Sequence, residues 1–120
     1  MNYAHVGFAV KNLQKSKGFY TAALATLGLS LLREKTESVH FGEDGKTLFY
    51  IHTRSTPPGP FHIAFEAKSR GQVDEFYKAA LAAGGKDNGA PGIRENYSPT
   101  YYAVFVIDPD GHNIEALCRT

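Results

Sequence analysis

Hydrophobic and polar positions in the first half of the chain predict one strand, one helix and three further strands. Residues 3–10 alternate between apolar and small or polar side chains, as a half-buried strand does. A helical apolar pattern follows, which Asn12 is placed to cap and Gly28 to end. Short strand patterns then occupy residues 30–33, 38–41 and 47–52. The first half therefore predicts a βαβββ unit.

The second half predicts the same order of elements. Residues 61–67 form a strand pattern, and Ser69 with Gln72 makes a capping box before an apolar helical stripe. Residues 86–100 are rich in glycine and proline and predict an irregular loop with one short strand near Ile93. Two more strands are predicted at 101–107 and 113–118, on either side of a turn.

The two halves are also related in sequence. Aligning them places His5 on His62 and Phe19 on Phe76. Such a repeat indicates two copies of one supersecondary unit, so equivalent side chains can converge on one site. The proline-rich residues 55–60 predict a linker within a single domain, residues 1–120. The linker separates module 1, at about 1–54, from module 2, at about 61–120.

Strand alternation places three possible metal ligands on equivalent faces. His5 alternates with the apolar positions of its strand, as His62 does in the second copy, so both face away from the helices. Glu115 has the same orientation in the last strand. Two imidazoles and one carboxylate form a facial triad that leaves open positions on a divalent metal ion. The alternative is that these histidines are ordinary surface or hydrogen-bonded residues.

Composition narrows the class of partner. The chain has 120 residues, of which 13 are basic and 12 acidic, and its formal charge is +1. No cluster of positive charge is present to bind nucleic acid or an anionic membrane. One cysteine, no leader pattern and no long apolar run predict a cytoplasmic protein. We therefore expect a small molecule as its ligand.

Four segments carry a resemblance to a known superfamily: HVGFAV, FYTAALATLGL, FHIAFEA and DPDGHNIEAL. They resemble the vicinal oxygen chelate superfamily, which includes glyoxalase I, bleomycin-resistance proteins and extradiol dioxygenases. The resemblance implies an α+β fold of two βαβββ modules, whose curved mixed sheets surround a cleft. It also implies one divalent metal ion (Zn, Ni, Mn, Fe or Co) on His5, His62 and Glu115. The resemblance also implies a homodimer, and it leaves open whether each site forms within one chain or from modules of both chains.

The resemblance leaves the activity open. Glyoxalase I has a fourth ligand, a glutamate, where alignment on the turn residues puts Phe49. Extradiol dioxygenases commonly have a tyrosine where this chain has Phe105. We expect metal-dependent lyase, isomerase, transferase or dioxygenase-like chemistry on a molecule with adjacent oxygens. The alternative is a metal-free small-molecule binder of the bleomycin-resistance type.

The same alternation predicts the wall of the cleft. We expect Phe49 and Ile51 of the first module and Tyr101 and Phe105 of the second to line it. Arg94, in the predicted loop, is placed to touch an anionic group of the ligand.

Overall fold

The computed structural model describes residues 3–120, which form eight strands and two helices. Module 1 contains, in chain order, β1 (Val6–Ala9), α1 (Leu13–Ala25), β2 (Ser30–Glu34), β3 (Ser38–Glu43) and β4 (Lys46–His52). Module 2 contains β5 (His62–Glu66), α2 (Arg70–Ala82), β6 (Lys86–Ile93), β7 (Tyr102–Ile107) and β8 (Asn113–Cys118). Neither helix in this part of the chain is long and apolar enough to cross a membrane.

Each module folds into its own four-stranded mixed sheet. The strand order is β1-β4-β3-β2 in the first sheet and β5-β8-β7-β6 in the second. β1 pairs in parallel with β4, and β5 with β8, whereas the other neighbours are antiparallel. The prediction of two βαβββ modules is therefore confirmed. β1 and β5 occupy equivalent edges of their sheets.

The helices begin where the sequence predicts and lie between the two modules. Asn12 and Ser69 each accept a hydrogen bond from a backbone N–H in the first turn of the following helix. Each helix packs on its own sheet, and the two helices pack against each other. A Cβ atom at Gly85 would lie 2.6 Å from the Phe19 ring, so glycine permits this close approach of the modules.

The apolar side chains between the sheets form one core. Phe49 packs on Phe8 of its own module and on Phe65 of the other, with ring centroids 5.5 and 5.7 Å apart. Phe49 is fully buried, as are Phe19, Phe41 and Phe76. We call the side of each sheet turned away from its helix the outer face. The first outer face, on the sheet of module 1, and the second outer face, on the sheet of module 2, therefore lie outside this core.

A β-bulge in the first sheet changes which side chains of β4 point outward. Phe41 pairs with Phe49, but the next residue, Gly42, pairs with Thr47, so Leu48 is one residue too many. A bulge of this kind shifts the register by one residue and moves the following side chains to the opposite face.

Because of this bulge, two predictions about the cleft wall are wrong. Phe49 and Ile51, expected to line it, are both fully buried in the core. Tyr50 lies between them and has the opposite orientation. Alignment on the turn residues failed here because it did not include the extra residue.

Residues 86–93, predicted as part of an irregular loop, form strand β6 along β7. Its register shifts between Asp87 and Gly89 and again between Gly89 and Gly92. The strand tolerates these irregularities, and Pro91, because it lies at the edge of its sheet. Its glycines and proline hid the alternation that identifies a strand.

Candidate functional site

Glu115 is almost completely buried on the second outer face. It lies on β8 and is 3% exposed. Its Oε1 lies 2.9 Å from Nε2 of His62, and its Oε2 accepts a 2.6 Å hydrogen bond from the Tyr101 hydroxyl. A carboxylate removed from water to this extent requires partners. These three side chains form the polar centre of the face.

The contacts of His62 bear on which of its two ring nitrogens carries a proton. Its Nδ1 lies 3.0 Å from the backbone oxygen of Asn113, which can only accept a hydrogen bond. With the proton of a neutral imidazole on Nδ1, Nε2 offers a lone pair toward Glu115. In a protonated imidazole both nitrogens donate, and Nε2 then donates to the carboxylate. The contact with Glu115 therefore suits either a proton or a metal ion between the two atoms.

The spacing of the two donor atoms fits a metal ion. Nitrogen and oxygen ligands bind zinc at about 2.0 to 2.2 Å. Two such ligands are about 3.4 Å apart in a tetrahedral site and about 3.0 Å apart at the right angles of an octahedral site. The 2.9 Å between His62 and Glu115 is close to the octahedral spacing and is equally an ordinary hydrogen-bond distance. A backbone carbonyl that fixes the free nitrogen of a histidine is the usual second partner of a metal-binding imidazole. His62 and Glu115 therefore fit two adjacent ligand positions.

Tyr101 and Phe105 border this pair on the second outer face. Burial, and then the hydrogen bond to Glu115, raises the pKa of Tyr101 to about 12, so its hydroxyl donates at neutral pH. The Phe105 ring lies 6.2 Å from that of His62, and the Arg94 guanidinium lies 5.2 Å over Phe105. Arg94 also donates to the backbone oxygens of Ala90 and Ala103, which fix its position. Its contact with a ligand remains a prediction.

The counterpart of Glu115 in module 1 is Tyr50. Gly7 pairs with Tyr50 between β1 and β4, and Ala64 pairs with Glu115 between β5 and β8. Gly7 and Ala64 are equivalent in the repeat. The position assigned to Phe49 from the turn residues therefore belongs to Tyr50. The side chain there is a phenol instead of the glutamate of glyoxalase I.

His5 lies on the first outer face, apart from the pair on the second. Its ring centroid is 6.0 Å from that of Tyr50. Within residues 3–120, no three side chains of histidine, cysteine, aspartate or glutamate are close enough to hold one metal ion. The single chain thus brings together His62 and Glu115 but does not add His5 to them.

Sequence reasoning missed the other side chains around His5. Arg33 pairs with His40 because a second bulge, at Leu32, shifts the register of β2. Together with Arg54 and Tyr50, these residues line a pocket with His5. Strand alternation without bulges predicts the same orientation for Arg33 as for Leu31, so it could not place Arg33 in this pocket. Only Tyr50 could be found from the sequence, by aligning β1 and β4 with β5 and β8 of the repeat.

Comparisons with known proteins agree with this architecture. The family model described as the glyoxalase/bleomycin resistance protein/dioxygenase superfamily matches residues 2–116. A glyoxalase/bleomycin resistance protein from Albidiferax ferrireducens is 31% identical, with 98% of each chain covered and a TM-score of 0.83. This chain therefore belongs to the glyoxalase/bleomycin resistance/dioxygenase superfamily.

More distant solved structures share the fold. A glyoxalase-related enzyme from Fulvimarina pelagi is 17% identical, with 98% of this chain and 87% of that chain covered and a TM-score of 0.74. Lactoylglutathione lyase from Agrobacterium tumefaciens is also 17% identical, with coverages of 98% and 92% and a TM-score of 0.70. No curated protein matches the chain.

Proposed function

We propose that this chain is an enzyme that uses a divalent metal ion held by His62 and Glu115 of one copy and His5 of a second copy. The contact between Nε2 of His62 and Oε1 of Glu115 carries the proposal, because an imidazole nitrogen and a buried carboxylate oxygen, two ligand types of divalent metals, face each other there. Two imidazoles and one carboxylate leave positions open for a substrate. The ion is one of Zn, Ni, Mn, Fe and Co.

The topology supports a homodimer as the source of the third ligand. β1 and β5 are edge strands, and each has one side without a strand neighbour in its sheet. His5 immediately precedes β1, and His62 is the first residue of β5. In a twofold dimer that places β1 of one copy beside β5 of the other, His5 of each copy lies near His62 of its partner, so two equivalent sites form.

The residues around the pair have distinct roles in this proposal. The bound ion would act as a Lewis acid toward two adjacent oxygens of a small molecule. The Asn113 carbonyl holds His62 in the tautomer that offers Nε2, and Tyr101 holds Glu115 in place. Phe105 covers one side of His62. The reaction is of the lyase, isomerase, transferase or dioxygenase type.

A metal-free binding protein is the second candidate. One observation favours it: a proton between His62 and Glu115, with the Tyr101 hydroxyl, would satisfy the buried carboxylate without an ion. The same cleft would then bind its ligand through aromatic side chains such as Phe105.

Metal content separates the two candidates. We expect protein purified without chelator, or reloaded with Mn²⁺ or Zn²⁺, to hold about one ion per chain by elemental analysis. His5→Ala and His62→Ala should each reduce this to below about a tenth of an ion. His52→Ala is the matched control, because His52 is likewise a histidine at one end of a strand but belongs to no proposed ligand set.

The metal-free candidate predicts a different result. Parent protein would then hold less than about a tenth of an ion even after reloading. Circular dichroism of each variant checks that a loss of metal is not a loss of fold.

A further inference from the structure

A second polar site lies on the first outer face, and we call it the arginine pocket. It has a volume of about 270 Å³ and is lined by His5, Arg33, His40, Thr47, Tyr50 and Arg54. Both arginines are exposed, Arg33 in β2 and Arg54 just after β4. The lining contains two guanidinium groups and no carboxylate.

The positive charge of the arginine pocket has no internal partner. Neither Arg33 nor Arg54 belongs to an ion pair formed within residues 3–120. Arg33 is held by a 3.0 Å hydrogen bond from its Nη2 to the Thr47 hydroxyl, which uses one of its five N–H donors. Burial and then the charges of nearby cations, including both arginines, lower the pKa of His40. The pocket is therefore electropositive when its imidazoles are neutral.

Tyr50 contributes an aromatic surface to the same pocket as the two arginines. Its ring crosses β1 at Gly7, where a Cβ atom would lie 2.2 Å from the ring carbons. It stacks with His40 at an interplanar angle of 15° and a centroid distance of 5.3 Å, and with His52 at 28° and 5.9 Å. Glycine at position 7 thus permits the ring to lie flat. A flat aromatic surface favours stacking with a planar ligand.

We infer that the arginine pocket binds the oxyanion group, a carboxylate or a phosphate, of a planar small molecule. Arg33 and Arg54 supply charge-assisted hydrogen bonds to the oxygens, and Tyr50 stacks against the planar part. Because His5 lines this pocket, the ligand lies next to the proposed metal. This inference rests on the proposed function, and it identifies the substrate class as planar carboxylates or phosphate esters.

Calorimetric titration of chelator-treated protein tests the pocket without involving the metal. The probes are benzoate, phenyl phosphate and the neutral benzamide, at low ionic strength. We expect benzoate or phenyl phosphate to bind at least about tenfold more tightly than benzamide. The tighter of the two anions identifies the group that the pocket prefers.

Variants assign the binding to the named residues. Arg33→Gln and Arg54→Gln should each weaken binding of the preferred anion by about tenfold and leave benzamide unchanged. Tyr50→Leu should weaken both classes of probe, because both stack on the ring. Arg119→Gln is the control, since Arg119 is an exposed arginine of module 2 that pairs with Glu66. Thermal unfolding confirms that each variant is folded.

Two results would overturn the inference: equal affinity for benzoate, phenyl phosphate and benzamide, or unchanged anion binding in both arginine variants. Because no metal is present in the titration, neither result bears on metal binding by His62 and Glu115. Conversely, failure of the metal experiment leaves the anion result intact and removes only the assignment of this ligand as a substrate.

Discussion

The two outer faces are built on the same repeated strand pattern but carry opposite chemistry. Where the second face has the buried Glu115, the first has Tyr50, and where the second has Phe105, the first has His40. The second face therefore presents a carboxylate between an imidazole and a phenol. The first presents an aromatic ring in one pocket with two guanidinium groups.

The difference shows that a sheet face outside the core can change its chemistry while the module keeps its fold. Phe49 and Ile114 occupy equivalent positions on the helix side, and both are fully buried and apolar. Their neighbours Tyr50 and Glu115, one residue later, differ completely. Close packing restricts the side chains on the helix side of each sheet. The outer faces are not restricted in this way, and we propose that the second contributes metal ligands and that the first binds an anion.

Removing the carboxylate should have the largest effect on the second face. We expect Glu115→Gln to reduce metal content from about one ion to below a tenth of an ion per chain, because a neutral amide replaces the anionic ligand. Elemental analysis after reloading measures this. The fold should persist, because glutamine fills the same volume and its amide oxygen still accepts the Tyr101 hydrogen bond.

Glu66→Gln provides the matched control for this change. Glu66 is an exposed carboxylate at the end of β5 that pairs with Arg119, so its loss should leave metal content unchanged. Full metal content in Glu115→Gln would remove Glu115 from the ligand set.

A positioning role for Tyr101 predicts a smaller effect. Tyr101→Phe removes the hydroxyl that holds Oε2 of Glu115, and we expect metal affinity to fall by about 10- to 100-fold. Competition with a chromogenic chelator measures the affinity. Tyr97→Phe is the control, since Tyr97 is 60% exposed. A loss of thermal stability with unchanged affinity would make the Tyr101 contact merely structural.

The smallest effect expected concerns the histidines of the first face. Burial and then the charges of Arg33, Lys35 and Arg54 lower the pKa of His40 below 6.5. Burial and then Arg54 lower the pKa of His52. In NMR titrations, Arg54→Gln should raise both pKa values and Arg33→Gln only that of His40. Titration of both imidazoles at 6.5 or above in the parent would contradict the electropositive character of this face.

These shifts also fix the sign of a pH effect on stability. The folded chain binds fewer protons at His40 and His52 than the unfolded chain does. Their contribution to the free energy of unfolding is therefore present above pH 6.5 and is lost as the pH falls through the lowered pKa values. Replacing both arginines should weaken this dependence in urea unfolding experiments without abolishing it, because burial is the larger cause of both shifts.

The sequence predicted the parts of the fold that depend on local patterns. Asn12 and Ser69 begin the helices as expected, and alternation placed Glu115 on the same face as Phe105. Local patterns could not reveal the bulge at Leu48, because residues 48–51 are apolar or aromatic throughout and show no alternation. The exposed Arg33 was missed for a related reason, since a bulge precedes it.

The candidate site was only partly predictable for a further physical reason. His62 and Glu115 lie on strands that pair within one sheet, so the repeat and the strand orientation were enough to bring them together. His5 lies on the other sheet, on an outer face separated from theirs by the helices. Its proposed meeting with them depends on a second chain, and the pattern of one chain does not specify how two copies associate.

Mixing two variants that are each expected to lose the metal tests this sharing of ligands most directly. His5→Ala and His62→Ala chains, unfolded and refolded together, assort at random into dimers, and half of these are mixed. In a mixed dimer, one site has both mutated histidines, and the other has His5 of one chain and His62 with Glu115 of its partner. We therefore predict that the mixture regains about a quarter of the parent metal content. A mixture that holds no more metal than the separate variants would contradict a site formed between chains.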